Sequence, residues 1–311
     1  MARNEGSGLQ AQSVEWVKTQ LGDTAEITSV KPLEGGTSST LFELAVQENG
    51  SAYSYVLRLF HKADWLEKEP DLAKHEADSL QLAEQAGLLA PHLIAYDETG
   101  DRSGMPAVLM TKMSGSVVLQ PVNDDNWLEG LAAALARLHQ TEPADFPYEY
   151  FSYNDAFLLG KPKWSKVQND WMRAFYIVAG SRPDARECFI HRDFHPANVL
   201  FENGEISAIV DWVNACRGPA GIDVGHCRVN LAQLYGISVA NDFLAAYQRH
   251  AGSSFIYDPY WDLVSLTDTL DGSPVVYPGW KVFGMTGLSD ELVRHRLDDY
   301  LLSLLDRFDD F

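Results

Sequence analysis

The segment "FIHRDFHPANVLFENGEISAIVDW", residues 189–212, sets His191, Arg192, Asp193, His195, Asn198 and Asp211 among apolar residues that favour strands. Asn203-Gly204 between two apolar runs is a two-residue hairpin signal. With that turn, Glu202 pairs with Glu205, Asn198 falls opposite Ile209, and Asp211 lies two residues further along the second strand. The amide of Asn198 and the carboxylate of Asp211 are then expected together at the open end of the hairpin. Asp193 occupies the loop that leads into that end. Hard oxygen donors in so small a number suit a Mg2+ ion that substrate phosphates also hold. A second chemistry is open to the same stretch. His191, Asp193 and His195 alternate, and on a regular strand they would share one face and could bind zinc or iron, as in a metal-dependent hydrolase. Pro196 opposes a regular strand there, and that reading leaves Asn198 and Asp211 without a task.

The elements that must position these residues can be read from turn signals and periodicity. A helix over 11–22 precedes strand-like runs near 26–34, 40–48 and 53–60. Asn49-Gly50 joins the second and third runs as a hairpin, which places Arg58 opposite Leu41, just beyond the Gly-rich stretch "EGGTSST" at 34–40. Arg58 is a lone charge in the apolar "YVLRLF" and needs compensation. A helix follows from Asp71, a candidate N-cap, to Gly87, a candidate C-cap. On it, Leu72, Glu76, Leu80 and Ala83 share the core-facing stripe, so Glu76 is the expected partner of Arg58. Two more strands are expected near 91–96 and 106–112. From about 124 onward helices dominate, as in "NWLEGLAAALARLH" with leucines at helical spacing.

Bulk properties set limits on partners. The chain has 311 residues, 46% of them hydrophobic, which is enough for two lobes with separate cores. Acids outnumber bases 44 to 24, a formal charge of −20, so nucleic acid is not an expected partner and a cationic or neutral substrate suits the field better. No apolar run is long enough for a membrane span and no secretory signal opens the sequence, which leads to a cytoplasmic expectation. Cys188, Cys216 and Cys227 form no CxxC pair and read as reduced, buried side chains.

His-Arg-Asp, four residues, Asn, and then an Asp after a hairpin is the order of the catalytic and metal-binding loops of kinases. "HRDFHPAN" and "IVDW" resemble the aminoglycoside phosphotransferase and choline kinase-like family, whose members carry a histidine two residues after the catalytic aspartate, as His195 does. The resemblance implies an α+β, bilobal protein-kinase-like fold. A small N-terminal lobe of antiparallel sheet plus helix, residues 1–113, would bind nucleotide; a larger, mostly helical lobe, residues 114–311, would hold the catalytic loop and the acceptor. It also implies Mg2+, ATP or GTP as co-substrate, and transfer of the γ-phosphoryl group to a hydroxyl of a small acceptor.

Roles follow from that resemblance. Asp193 would orient the acceptor hydroxyl and take its proton, and His195 would touch the γ-phosphate or brace the loop. Asn198 and Asp211 would be the metal ligands. Gly35, Gly36, Thr37 and Ser38 would cover the phosphates, although a lone Gly-Gly is more often an ordinary turn. Arg58 stands where the family usually has lysine, with Glu76 as its helix partner. "AVLMTKMSG", residues 107–115, resembles the strand and linker that hang the adenine on backbone groups of Thr111 to Met113. His191 and Arg192 would stabilise the loop, and Asp223 resembles the family's buried supporting aspartate. His139 reads as a satisfied interface histidine. Trp261, Asp268, Asp271, Trp280 and Asp298 are candidates for the border of the acceptor pocket, but core aromatic or solvated acid is the ordinary reading of each. An antibiotic such as an aminoglycoside and a metabolite such as choline, an amino alcohol or a sugar are both open as acceptors. A non-catalytic nucleotide-binding module is a further alternative, and the oligomeric state is not legible.

Overall fold

The computed structural model describes residues 8–33, 39–121 and 124–309. The chain divides into two compact units, and the division is not a single cut near residue 113. Met1–Ser114 form the first unit together with Ala208–Asn214, and the second unit is Gly115–Ser207 with Ala215–Phe311. The segment 208–214 joins the first unit because its groups bond there. Ile209 N–H donates to the Leu89 carbonyl at 2.7 Å, and Asp211 accepts from Arg58.

The first unit opens with α1 (Ala11–Leu21), followed by β1 (Ala25–Leu33), β2 (Thr40–Glu48) and β3 (Ser51–Leu59). The short α2 (Ala63–Lys68), which the sequence reading did not anticipate, precedes α3 (Leu72–Gln85), β4 (Leu93–Asp97) and β5 (Ala107–Thr111). The five strands form one antiparallel sheet in the order β1-β2-β3-β5-β4. Asn49 and Gly50 both have positive φ, 49° and 82°, the turn that matches strand twist and fixes the β2-β3 register. Leu41 therefore pairs with Arg58, as the turn chemistry requires. Alternate residues Phe42, Leu44 and Val46 of β2 meet Leu57 and Leu59 of β3 and Trp16 and Val17 of α1 in the core of this unit. Asp71 takes the N-cap position of α3, but its side chain makes no capping bond.

The second unit holds β6 (Ser116–Val117), α4 (Asp124–Leu138), α5 (Gln168–Val178), β7 (Glu187–Ile190), β8 (Val199–Glu202), most of β9 (Glu205–Ile209), β10 (Cys216–Pro219), α6 (Ala220–Tyr235), α7 (Ile237–Ala251), α8 (Pro259–Asp268), α9 (Pro278–Val282) and α10 (Asp290–Asp309). Asn203 and Gly204, φ 53° and 87°, make the turn between β8 and β9. The central helix α6 is buried along most of its length. Its close approach to α8 depends on two glycines one turn apart. A Cβ on Gly221 would lie 2.6 Å from the Trp261 ring, and one on Gly225 would lie 2.6 Å from Ser265 Oγ. Trp261 and Trp280 are core aromatics, and Asp298 is a structural acceptor for Ser165 Oγ, the Lys166 N–H and Trp171 Nε1. Among the described residues no helix is long and apolar enough to cross a membrane.

Candidate active site

The first unit builds a buried charge cluster on regular elements. The alternation of β3 turns Arg58 inward, and the helical stripe of α3 turns Glu76 toward it. Arg58 Nη1 donates to Glu76 Oε1 at 2.7 Å and to Asp211 Oδ1 at 2.7 Å, while Nε donates to Ser39 Oγ at 2.8 Å. Burial by itself would lower the Arg58 pKa, but the carboxylates of Asp211 and Glu76 overcome it and hold the guanidinium above its ordinary value. Glu76 is shifted upward. Burial disfavours its charge more than Arg58 stabilises it, Asp211 adds repulsion, and its buried Oε2 accepts no hydrogen bond.

Asp211 follows β9 with φ 69°, a left-handed conformation that aspartate tolerates better than most residues. Its Oδ1 belongs to Arg58, and its side chain is 35% exposed. Thr111 ends β5, where its Oγ1 accepts from the His92 N–H and its own N–H donates to the His92 carbonyl. Met113, two residues further, is half-buried. Gly35, Gly36, Thr37 and Ser38 lie outside the described residues.

The second unit carries the Asp193 loop. β7 ends at Ile190, so residues 191–195 are not a strand, and the shared face that a His191, Asp193 and His195 metal cluster would need does not form. His191 is fully buried, and its backbone N–H donates to Asp223 Oδ2 at 2.7 Å. Arg192, at φ 66°, donates its own N–H to Asp223 Oδ1 at 2.6 Å. One aspartate of α6 thus pins the two residues before Asp193, and His139 fixes that aspartate in turn. His139 Nε2 lies 3.0 Å from Asp223 Oδ2, and its Nδ1 lies 2.6 Å from the Tyr247 hydroxyl. The Arg192 side chain points back into an aromatic clamp, with Phe151 and Tyr153 each 4.0 Å from the guanidinium carbon and the Phe151 carbonyl accepting at 2.6 Å.

Asp193 is held on both carboxylate oxygens. Asn198 Nδ2 donates to Asp193 Oδ2 at 3.1 Å and to its backbone carbonyl at 2.9 Å. On the other side, His226 Nε2 is 3.0 Å from Asp193 Oδ1, and His195 Nε2 is 3.6 Å from the same atom. Burial pushes the Asp193 carboxyl up. The neighbouring histidines, His195 foremost, and the hydrogen bond from His226 outweigh that and hold it well below the ordinary carboxylate range.

Three ligand-type atoms of Asp193, His195 and His226 come within 4.8 Å of one another, so a transition-metal site has to be weighed. His195 Nδ1 accepts from the Ala197 N–H at 3.3 Å, which places the proton of a neutral His195 ring on Nε2 and opposes coordination through that nitrogen. Hard oxygen donors stand elsewhere, one in each unit. Asn198 spends its Nδ2 on Asp193 and keeps Oδ1, and Asp211 spends Oδ1 on Arg58 and keeps Oδ2. Hard oxygens of this kind are what Mg2+ selects.

Comparison with known proteins follows the same line. The sequence profile of the phosphotransferase enzyme family matches residues 29–269, more than half of the chain. The chain belongs to that family. It is similar to the homoserine kinase of Rhodopseudomonas palustris, 25% identical over 249 residues that cover 73% of this chain and 72% of the relative. It is also similar to the hygromycin-B 4-O-kinase of Escherichia coli, 26% identical over 245 residues, covering 70% and 66% of the two chains. Among solved structures, the amicoumacin kinase hAmiN in complex with AMP-PNP, Ca2+ and Ami superposes with a TM-score of 0.58 at 14% identity, covering 93% of this chain and 94% of that one. The fold is the α+β, protein-kinase-like one. The chain is a small-molecule kinase of this family, a phosphotransferase with an alcohol group as acceptor.

His226 is the residue that sequence reasoning missed. It lies three residues after Asp223, one helical turn along the same face of α6, and that spacing was its available signal.

Proposed function

We propose that this phosphotransferase uses ATP with Mg2+ and phosphorylates a small hydroxylated metabolite or antibiotic, with Asp193 as its catalytic base. The observation that carries the reading is the Asp193 carboxylate, kept ionised and fixed on both oxygens at the end of the HRD loop. Asp193 orients the acceptor hydroxyl and takes its proton as the oxygen bonds to the γ-phosphorus and the bond from that phosphorus to the bridging oxygen of ADP breaks. A carboxylate of low basicity does this late, when the hydroxyl proton has become acidic. Asn198 and Asp211 supply the oxygens for Mg2+, which when bound neutralises phosphate charge. Arg58 is the cation for the phosphates and Glu76 holds it. Residues 35–38 cover the phosphates, and backbone groups of Thr111 to Met113 take the adenine. His195, with its proton on Nε2, is a donor for the γ-phosphate.

ATP is preferred over GTP on the strength of the AMP-PNP complex of the amicoumacin kinase. The acceptor class is supported by the two curated relatives, kinases of homoserine and of hygromycin B. The formal charge of −20 favours a cationic one. Three buried, unpaired cysteines suit the cytoplasm, where thiols stay reduced.

The test is Mg2+-dependent turnover of ATP and GTP with hygromycin B, L-homoserine and a macrolide as acceptors. ATP consumption that requires Mg2+ and rises with one acceptor is expected. A folded protein that neither binds nor consumes either nucleotide overturns the reading. Asp193→Asn should lower turnover by about 10²- to 10⁴-fold and leave ATP affinity in place.

A further inference from the structure

We infer that His226 is a positioning residue for the catalytic carboxylate, an assignment that rests on the reading of Asp193 as the base. A carboxylate gripped at one oxygen can still rotate about its Cβ–Cγ bond, whereas one gripped at both has its plane fixed. Asn198 grips Oδ2 at 3.1 Å, and the grip on Oδ1 comes from His226 Nε2 at 3.0 Å. His195, at 3.6 Å from Oδ1, is beyond hydrogen-bond distance in this arrangement. Without His226 the carboxylate would keep its lower grip and lose its orientation toward an incoming hydroxyl, and small misplacements of a base are costly.

The supporting helix is suited to the task. Asp223 and His226 stand one turn apart on α6, so a single helix face holds the loop by two backbone N–H groups and holds its carboxylate by an imidazole. Gly221 and Gly225 seat that helix against α8, where any side chain would collide with Trp261 or Ser265. His226 is thereby delivered by a helix buried along most of its length and not by a second loop. It touches the carboxylate and no reacting atom.

Glutamine and asparagine separate a hydrogen bond from mere filling of space. A glutamine amide nitrogen lies as many bonds from Cα as histidine Nε2, and an asparagine amide falls one short. With ATP and Mg2+, and water or any acceptor of the panel that is used, His226→Asn and His226→Leu are expected to lose about 10- to 100-fold in kcat with KM for ATP unchanged, while His226→Gln recovers most of the loss. Thermal melting of each variant tracks folding. A second readout does not depend on turnover. In protein labelled with 15N-histidine, the signal that disappears in His226→Gln should report a proton on Nε2, shielded from exchange in the parent and exposed in Asp193→Ala. A proton on Nδ1 alone overturns the inference, as does a fully active His226→Leu beside an inactive Asp193→Asn. A fully active Asp193→Asn instead removes the reading of Asp193 as base.

Discussion

The two clusters of polar side chains are built by opposite means. The cluster of Arg58, Glu76 and Asp211 stands on β3, α3 and the end of β9, and a buried charge holds it together. The Asp193 loop has no regular structure of its own between β7 and the 3-10 turn that starts at Pro196. It is held by neutral backbone N–H groups pointing at Asp223. In the first construction the charged side chains themselves carry the stability. In the second, stability is supplied from beneath by Asp223, and the Asp193 carboxylate takes no part in that bonding. Damage to the first should appear in folding, and damage to the second should appear in turnover.

The largest stability effect is expected at Arg58. Arg58→Met keeps the bulk and strands Glu76 as a buried, unpaired acid, which costs about 3–5 kcal/mol in denaturant unfolding. The double variant Arg58→Met, Glu76→Leu should regain most of that loss, because no buried charge is left over. Asp223→Asn comes next. Its amide can accept from one of the two N–H groups but turns a donor toward the other, at a cost of about 1–3 kcal/mol, together with a fall in kcat larger than that of any variant with the same melting temperature. Equal stability losses in Arg58→Met and Asp223→Asn, with no kinetic difference, would erase the distinction between the two constructions. Arg58→Lys is the mild case. It keeps the charge but loses the donor to Ser39 Oγ, an expected loss of about 0.5–1.5 kcal/mol.

The same contrast explains what the sequence made legible. The partnership of Arg58 with Leu41 follows from one Asn-Gly turn and a period of two, and the inward face of Glu76 follows from a period of 3.6. Regular elements carry their geometry in local order. The bond from Arg58 to Asp211 spans 153 positions, and nothing local announces that residues 208–214 join the first unit. On the loop, the spacing of Asp193 and Asn198 is local, and both were read from it. The clamp on Arg192 comes from residues 150–153, and the contact of His226 with Asp193 crosses from a helix to a loop, so neither has a periodic signature. Asp71 shows the converse limit. A good capping residue in the right place made no bond, because position alone does not aim a side chain.

Asp97 offers the smallest effect and the sharpest control, since it is a buried carboxylate of the first unit that answers to backbone N–H groups and not to a cation. It accepts from Ser103 N–H at 2.8 Å, Ser103 Oγ at 2.8 Å, Arg102 N–H at 2.9 Å and Gly100 N–H at 3.3 Å. Burial pushes its pKa up, but the bonds from Ser103, Arg102 and Gly100 prevail and hold it below the ordinary 3.8. The folded form therefore binds its proton less readily than the unfolded chain. The stability it contributes is full above that ordinary value and is lost as pH falls through the folded value. Urea unfolding between pH 6 and about pH 3 should show that loss in the parent and a shallower acid limb in Asp97→Asn, which has no proton to take up there. Arg58→Lys should keep the parent's acid limb, because its charge does not titrate in this range. If Asp97→Asn instead follows the parent's acid limb, the local N–H cradle is not what depresses Asp97, and the first unit would depend on its buried ion pair alone.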